Sequence, residues 1–224
     1  MDAFAKDTDG FFARHFDRRI SGAISHFLLK TPVTPNQITI AVTFIGIGAG
    51  WLLAQAGYGP KVAGAFTFLL TSILDGCDGE IARAKKMTSK LGGWLDLWGD
   101  NVVHVAVFYG MGVGLYRDSG NPLFLRWALF ACIGTIVSAG LASFQTWRKG
   151  KSSFTSVAGD AASVPKGWRR QLTKASDSLA RRDFVYIVPL LALFKLLPIF
   201  LLLTAVGSNV FALVLLLILI TMPA

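Results

Sequence analysis

Charge is what this sequence has least of. Asp, Glu, Lys and Arg together make up 16% of its 224 residues, where a soluble domain carries roughly a quarter, so a water-soluble globular surface is excluded. Cysteine is nearly absent as well. Cys77 and Cys132 lie in apolar surroundings, and one pair makes no disulfide framework of the kind that staples small secreted modules. Acids are the scarcer sign, 13 against 22 Lys and Arg, for a net charge of +9. No internal repeat or low-complexity tract is visible, and Met1 to Lys30 has no apolar core of the kind that a cleavable signal requires. What is abundant is apolar: 53% of the residues fall in the AVILMFWYC set and the mean hydropathy is +0.55. A pI near 9.8 on so apolar a chain argues against nucleic acid as a partner and for a membrane.

A spanning helix needs about 20 mostly apolar residues. Windows of that length predict an all-α integral membrane protein with six transmembrane helices, over approximately 35–57, 61–84, 90–116, 122–147, 183–196 and 198–221. The fifth is short and ends near Pro198. Residues 1–33 are expected to form a cytosolic or interfacial amphipathic segment, and residues 34–224 the membrane domain. Lys6, Arg14, Arg18, Arg19 and Lys30 precede the first span, and Arg83, Lys85, Lys86 and Lys90 separate the second from the third. Nine more cations, from Arg148 and Lys149 to Arg181 and Arg182, fall between the fourth and the fifth. Eighteen of the 22 thus share one side, which the positive-inside rule makes cytosolic. The expected location is the cell (inner) membrane, multi-pass, with both termini and the acid-bearing chemistry facing the cytosol.

Before the first span, Phe12, Phe16, Ile20, Ile24 and Leu28 recur every four residues while Arg14, Arg18 and Arg19 fall on other faces. That pattern predicts an amphipathic juxtamembrane helix, lying in the headgroup plane or packed on the protein's own cytosolic side. Thr34-Pro35-Asn36-Gln37 then offers an N-cap threonine, a proline at the first helical position and a glutamine at the third, a capping box that starts the first span.

Two of the apolar spans carry four aspartates: Asp75 and Asp78 in the second, Asp96 and Asp100 in the third. An ionised carboxylate inside a bilayer costs at least ~2.5 kcal/mol, so four require compensation. Asp75 and Asp78 are three residues apart and share a helical face, and Gly92, Asp96 and Asp100 form a stripe at four-residue spacing. Asp75 lies about 21 Å below Lys61, and Asp96 and Asp100 about 9 to 15 Å inward from Lys90, which brings both pairs to one depth in the cytosolic half. Carboxylates converging there repel each other unless divalent cations sit between them, and hard oxygen ligands point to Mg²⁺ or Mn²⁺ rather than zinc. Gly79 and Gly92 leave room for an anionic substrate against the backbone, and Arg83 offers a forked cation to phosphate oxygens. Two metals beside such an arginine make a phosphoryl-transfer device.

Asp75-x2-Asp78-Gly79-x2-Ala82-Arg83-x8-Gly92-x3-Asp96-x3-Asp100 resembles the signature of the CDP-alcohol phosphotransferase family, and the likeness takes in the Thr34 to Thr39 entry to the first span. The resemblance implies that Asp75, Asp78 and Asp96 hold two Mg²⁺ or Mn²⁺ ions. Asp100 would join them as a ligand and serve as the catalytic base. It also implies a CDP pocket lined by Asn36, Thr39, Gly79, Arg83 and Gly92, a CMP-releasing transferase acting on a CDP-alcohol donor and an acceptor alcohol, and a homodimer in membrane lipid. Asn101 departs from the many members with a basic residue there. His104, one turn deeper, is expected to pack rather than to relay protons, and Glu80 to be a supporting or surface acid.

Ser72 to Arg83, with Asp9 to Phe16 and Arg182-Asp183-Phe184, is similar to the branch that makes di-myo-inositol phosphate phosphate. That similarity implies CDP-inositol as donor and inositol phosphate as acceptor, while other relatives use CDP-diacylglycerol. A phosphorylated acceptor needs cations near the mouth, and Arg148, Lys149, Arg181 and Arg182 are the candidates. The alternative reading of acids in a six-span protein is a divalent-cation transporter or channel, whose site belongs at the midplane.

Overall fold

The computed structural model describes residues 18–148 and 182–221, and among them every regular element is helical. α1 (Arg18–Leu29) leads into α2 (Pro35–Ala54), α3 (Tyr58–Ala84), α4 (Lys90–Ser119) and α5 (Leu123–Arg148). A 3-10 turn (Arg182–Tyr186) runs directly into α6 (Ile187–Leu193), and α7 (Leu197–Thr221) follows. Three of these, α2, α5 and α7, are long and apolar enough to cross a membrane on length and composition alone. At 27 and 30 residues, α3 and α4 run about 40 and 45 Å, and they carry the acids that dilute their hydropathy. The expected fifth span, 183–196, consists of the 3-10 turn and the seven-residue α6, together shorter than the ~30 Å hydrocarbon core. It ends where Phe194 to Leu196 turn the chain, with Lys195 in the left-handed region at φ 58°. Pro198 is the second residue of α7, where its missing N–H has no intrahelical partner to lose.

Both helices that open toward the acids are capped by side chains. Thr34 Oγ1 accepts from the Gln37 N–H at 3.4 Å and Gln37 Oε1 accepts from the Thr34 N–H at 2.9 Å, the predicted capping box. Ser89 does the same for α4, its hydroxyl accepting from the Gly92 N–H at 3.0 Å.

α2 is the spine. It packs along both α3 and α4, while α3 and α4 scarcely touch each other. The α2–α4 contact is backbone against backbone: a Cβ on Gly50 would lie 2.5 Å from the carbonyl oxygen of Ala106, and one on Gly110 would strike the carbonyl of Gly50. Small residues permit that approach, and in a membrane close packing of this kind holds helices together where apolar burial cannot. Beyond α4, α5 pairs with α7, and Ser138, Gln145 and Asn209 each donate to a backbone carbonyl of the facing helix, those of Ser208, Leu215 and Phe130.

The two ends of this bundle are tied differently. At the end of the α3–α4 turn, Lys85 Nζ donates to the carbonyls of Thr31 and Val33 at 2.7 and 2.8 Å, fastening α3 to the α1–α2 connection. At the far end the Lys61 ammonium pairs with Asp118 and donates to the carbonyls of Gln55 and Gly57. Lys61 is buried there. α1 lies against α3. At the centre of its buried face are Ser21 and Ser25, with Ile24, Leu28 and Leu29 flanking them onto Cys77, Ile81, Ile38 and Val42. Phe12, Phe16 and Arg14 lie outside the described residues.

Candidate active site

Three carboxylates meet in the cleft between α3 and α4. Each of Asp75, Asp78 and Asp96 places an oxygen within 4.8 Å of the others, Asp78 buried and the other two half-buried. The pairing follows from helical geometry: residues three apart on α3 present one face, and Asp96, near the start of the antiparallel α4, stands opposite that face. Because α3 and α4 hardly contact each other, the gap between them is held open by α2, and the acids project into it rather than into a packed seam. This donor set is made of hard oxygens, with no histidine or cysteine among them, so it fits Mg²⁺ or Mn²⁺ and does not fit a zinc site.

Around this group the α2 side chains arrive in order. The Thr39 hydroxyl donates to Asp78 Oδ2, and Thr39 is itself buried. One turn earlier, Asn36 faces the start of α4, where a Cβ added to Gly92 would stand 3.1 Å from the Asn36 Oδ1 and 3.2 Å from the Ser89 Oγ. One turn later, Thr43 lies where a Cβ on Gly99 would come within 2.7 Å of its Oγ1. On α3 the Arg83 guanidinium folds back along its own helix, 3.3 Å from where a Gly79 Cβ would be. The structure thus brings together Asn36, Thr39, Asp75, Asp78, Gly79, Arg83, Gly92 and Asp96, eight of the residues that the sequence singled out.

Asp100 stands one turn beyond Asp96 on α4, half-buried and outside the 4.8 Å group. Its backbone carbonyl takes a 2.7 Å hydrogen bond from His104 Nδ1. That contact assigns the proton to Nδ1, because a carbonyl can only accept. The imidazole sits among Phe68, Phe108 and Phe184, with centroid separations of 5.7, 5.8 and 6.0 Å, so it knits α3, α4 and the 3-10 turn beneath the acids. Asn101 does not reach the site: its amide donates to the Leu97 carbonyl of its own helix at 2.7 Å.

Among the acceptor candidates, Arg148 is exposed at the end of α5, and Arg182 begins the 3-10 turn. Phe184 of that turn rests on His104, which places the turn beside the Asp100 end of the cleft. Lys149 and Arg181 lie outside the described residues. For Glu80 the surface alternative is overturned. The residue is 2% exposed and accepts a hydrogen bond from Ser21 Oγ at 3.0 Å, so it faces α1 and not the surface. Sequence reasoning also missed the direct Thr39–Asp78 bond. The only advance sign of it was the five-residue offset of Thr39 from the N-cap, which does not name a partner on another helix.

Residues 32–222 match the CDP-alcohol phosphatidyltransferase family. The bifunctional IPC transferase and DIPP synthase of Thermococcus kodakarensis is 36% identical over 129 residues, 58% of this chain and 28% of that protein. The chain therefore spans about a quarter of the length of the curated relatives of that kind that it matches. The phosphatidylinositol phosphate synthase of Streptomyces avermitilis is 28% identical over 206 residues, 89% of this chain and 77% of that protein. In fold, the chain is similar to the crystal structure of the Mycobacterium tuberculosis phosphatidylinositol phosphate synthase with CDP-DAG bound. That likeness has a TM-score of 0.64 and 22% identity and covers 92% of this chain and 96% of the other. The same enzyme has been solved with manganese and citrate, at a TM-score of 0.61. With the aspartate signature in place between α3 and α4 and the match running from the start of α2 through α7, this chain belongs to the CDP-alcohol phosphatidyltransferase family.

Proposed function

We propose that the chain transfers a substituted phosphate from a CDP-alcohol to an acceptor alcohol and releases CMP. The observation that carries this reading is the convergence of Asp75, Asp78 and Asp96 from two helices that do not otherwise pack together. Those three, with Asp100 completing the shell, would hold two Mg²⁺ or Mn²⁺ ions. Bound there, the ions would neutralise the pyrophosphate and the charge that builds up during in-line displacement. The manganese in the similar M. tuberculosis structure supports the choice of ion.

The chain's own residues do the rest. Arg83, laid over Gly79, offers two N–H groups to the phosphate oxygens, and the missing side chain at Gly79 lets the anion come close. Asn36 and Gly92 border the same cleft from α2 and α4, where the cytidine end of the donor would lie. The acceptor hydroxyl oxygen attacks the β-phosphorus, the bond from that phosphorus to the oxygen of the CMP phosphate breaks, and the hydroxyl proton passes to Asp100. Its place outside the three-carboxylate group suits a base that must reach the acceptor. Arg148, Lys149, Arg181 and Arg182 are the cations that a phosphorylated acceptor would meet. CDP-diacylglycerol and CDP-inositol are the candidate donors, and inositol phosphate is the candidate acceptor, in phospholipid or polyol-phosphodiester synthesis. The chain works as a multi-pass membrane protein with the site at the cytosolic face, and as a homodimer.

Purified protein in lipid nanodiscs, given Mn²⁺ and a panel of CDP-alcohols and acceptors, should release CMP with at least one pair. Asp100→Asn should slow that release by at least about a hundredfold. A protein that forms no CMP with any pair, and that carries Mn²⁺ into proteoliposomes, would be a divalent-cation transporter instead.

A further inference from the structure

Glu80 is a buried acid that the proposed reaction does not use. It is buried more deeply than Asp78, 2% against 7% exposed, and two residues along α3 place it about 200° around the helix from Asp78, on the back of the catalytic face. A carboxylate in such a place is costly unless it is hydrogen-bonded. Ser21 of α1, 1% exposed, supplies such a bond, its hydroxyl donating to Oε1 at 3.0 Å. The seam around this bond is close: the Cys77 thiol donates to the Ser21 carbonyl at 3.6 Å, and a Cβ on Gly76 would lie 3.8 Å from the Ser21 Cβ. Ser25 is buried one turn further along α1.

An apolar contact would hold α1 on α3 as well, but it would let the helices slide and turn. The rotation of α3 matters here because Asp75 and Asp78 reach across a gap to α4, so α4 packing does not set their direction. A carboxylate some 6 Å from the helix axis moves roughly 2 Å for each 20° of rotation, more than a metal or catalytic group tolerates. α2 restrains α3 on one side, through Thr39 and Asp78. On the other side, two hydrogen bonds between α1 and α3 converge on Ser21.

We propose that Ser21 and Glu80 are positioning residues. Their hydrogen bond locks α1 to the back of α3 and sets the rotation at which Asp75 and Asp78 meet Asp96. The proposal rests on the divalent-cation site assigned above, and the test separates the two. Mn²⁺ affinity is measured by titration calorimetry on the full chain in detergent, alongside CMP release. Ser21→Ala and Glu80→Ala should each weaken Mn²⁺ binding about tenfold, and Glu80→Gln, whose amide oxygen accepts the same bond, should stay within about twofold of the parent. Ser21→Ala removes a single hydroxyl and carries the test should Glu80→Ala fail to fold. If Asp78→Asn loses the ion while Ser21→Ala keeps parental affinity, the positioning role is overturned. It is equally overturned if Glu80→Gln binds as weakly as Glu80→Ala, because the charge and not the bond would then be at work. If Asp78→Asn binds Mn²⁺ like the parent, it is the cation site that falls.

Discussion

Thr39 shows how much a single hydroxyl does in this protein. It is buried on α2, it donates to Asp78, and it is the direct bond that orients a carboxylate which must otherwise share its cleft with two more negative groups. A hydrogen bond to a charged acceptor is worth roughly 1.5 to 3 kcal/mol. Thr39→Val keeps the shape and removes the donor, so CMP release should fall by about tenfold or more, while Thr39→Ser should retain most of the rate. Steady-state assays at saturating donor decide between these outcomes. The convergence of Asp75, Asp78 and Asp96 was legible in the sequence because acids are so improbable in an apolar helix that their spacing alone carries information. Glu80 was not legible. Its position in the same charged run suggested a supporting or surface acid, and only the neighbouring helix shows why it is buried.

Among the elements, α2 does the positioning that α3 and α4 cannot do for each other. Its glycines let α4 approach to backbone contact, so Gly110→Ala should force the two helices apart and cost about 1 to 3 kcal/mol, the usual penalty of overpacking. The expected result is a lower thermal midpoint together with reduced activity, since Thr39 and Asn36 ride on the displaced helix. At the end remote from the acids, beyond the predicted third span, Asp118 ties α4 to the α2–α3 connection through Lys61 and the Gly57 N–H. Partial burial acts to raise its pKa, but the Lys61 ammonium and these hydrogen bonds hold it below the usual carboxylate range. A depressed folded pKa stabilises fully above the unfolded value of about 3.9, and the contribution is lost as the pH falls through the lowered folded value. The thermal midpoint of the parent should therefore exceed that of Asp118→Asn by a constant margin at neutral pH, and the margin should close below about pH 4. The capping box of α2 was readable to the residue because a cap is local. The serine-centred face of α1 was not, because Ser21 and Ser25 at four-residue spacing send no hydrophobic signal, and the visible stripe of Ile24 and Leu28 only flanks the contact.

For the whole molecule, chelation is the broadest test. EDTA should abolish CMP release, Mn²⁺ or Mg²⁺ should restore it and Zn²⁺ should not, since the donors are carboxylates alone. Mn²⁺ at a hundred times its dissociation constant should also raise the stability of the full chain by about 2.7 kcal/mol, read as an upward shift in the thermal midpoint. The sequence by itself determined the membrane setting, the helical class, the family signature and the kind of ion the acids suit. Each of these follows from composition, from residue type or from spacing along the chain, and none depends on how the helices pack. Tertiary structure alone decided that α2 stands between the two acid-bearing helices, that Asp100 stays outside the tight carboxylate group, and that α1 seats on the back of α3 through Ser21 and Glu80. Those are relations between segments far apart in the chain, set by which small residues allow close approach, and no periodicity within a segment encodes its partner.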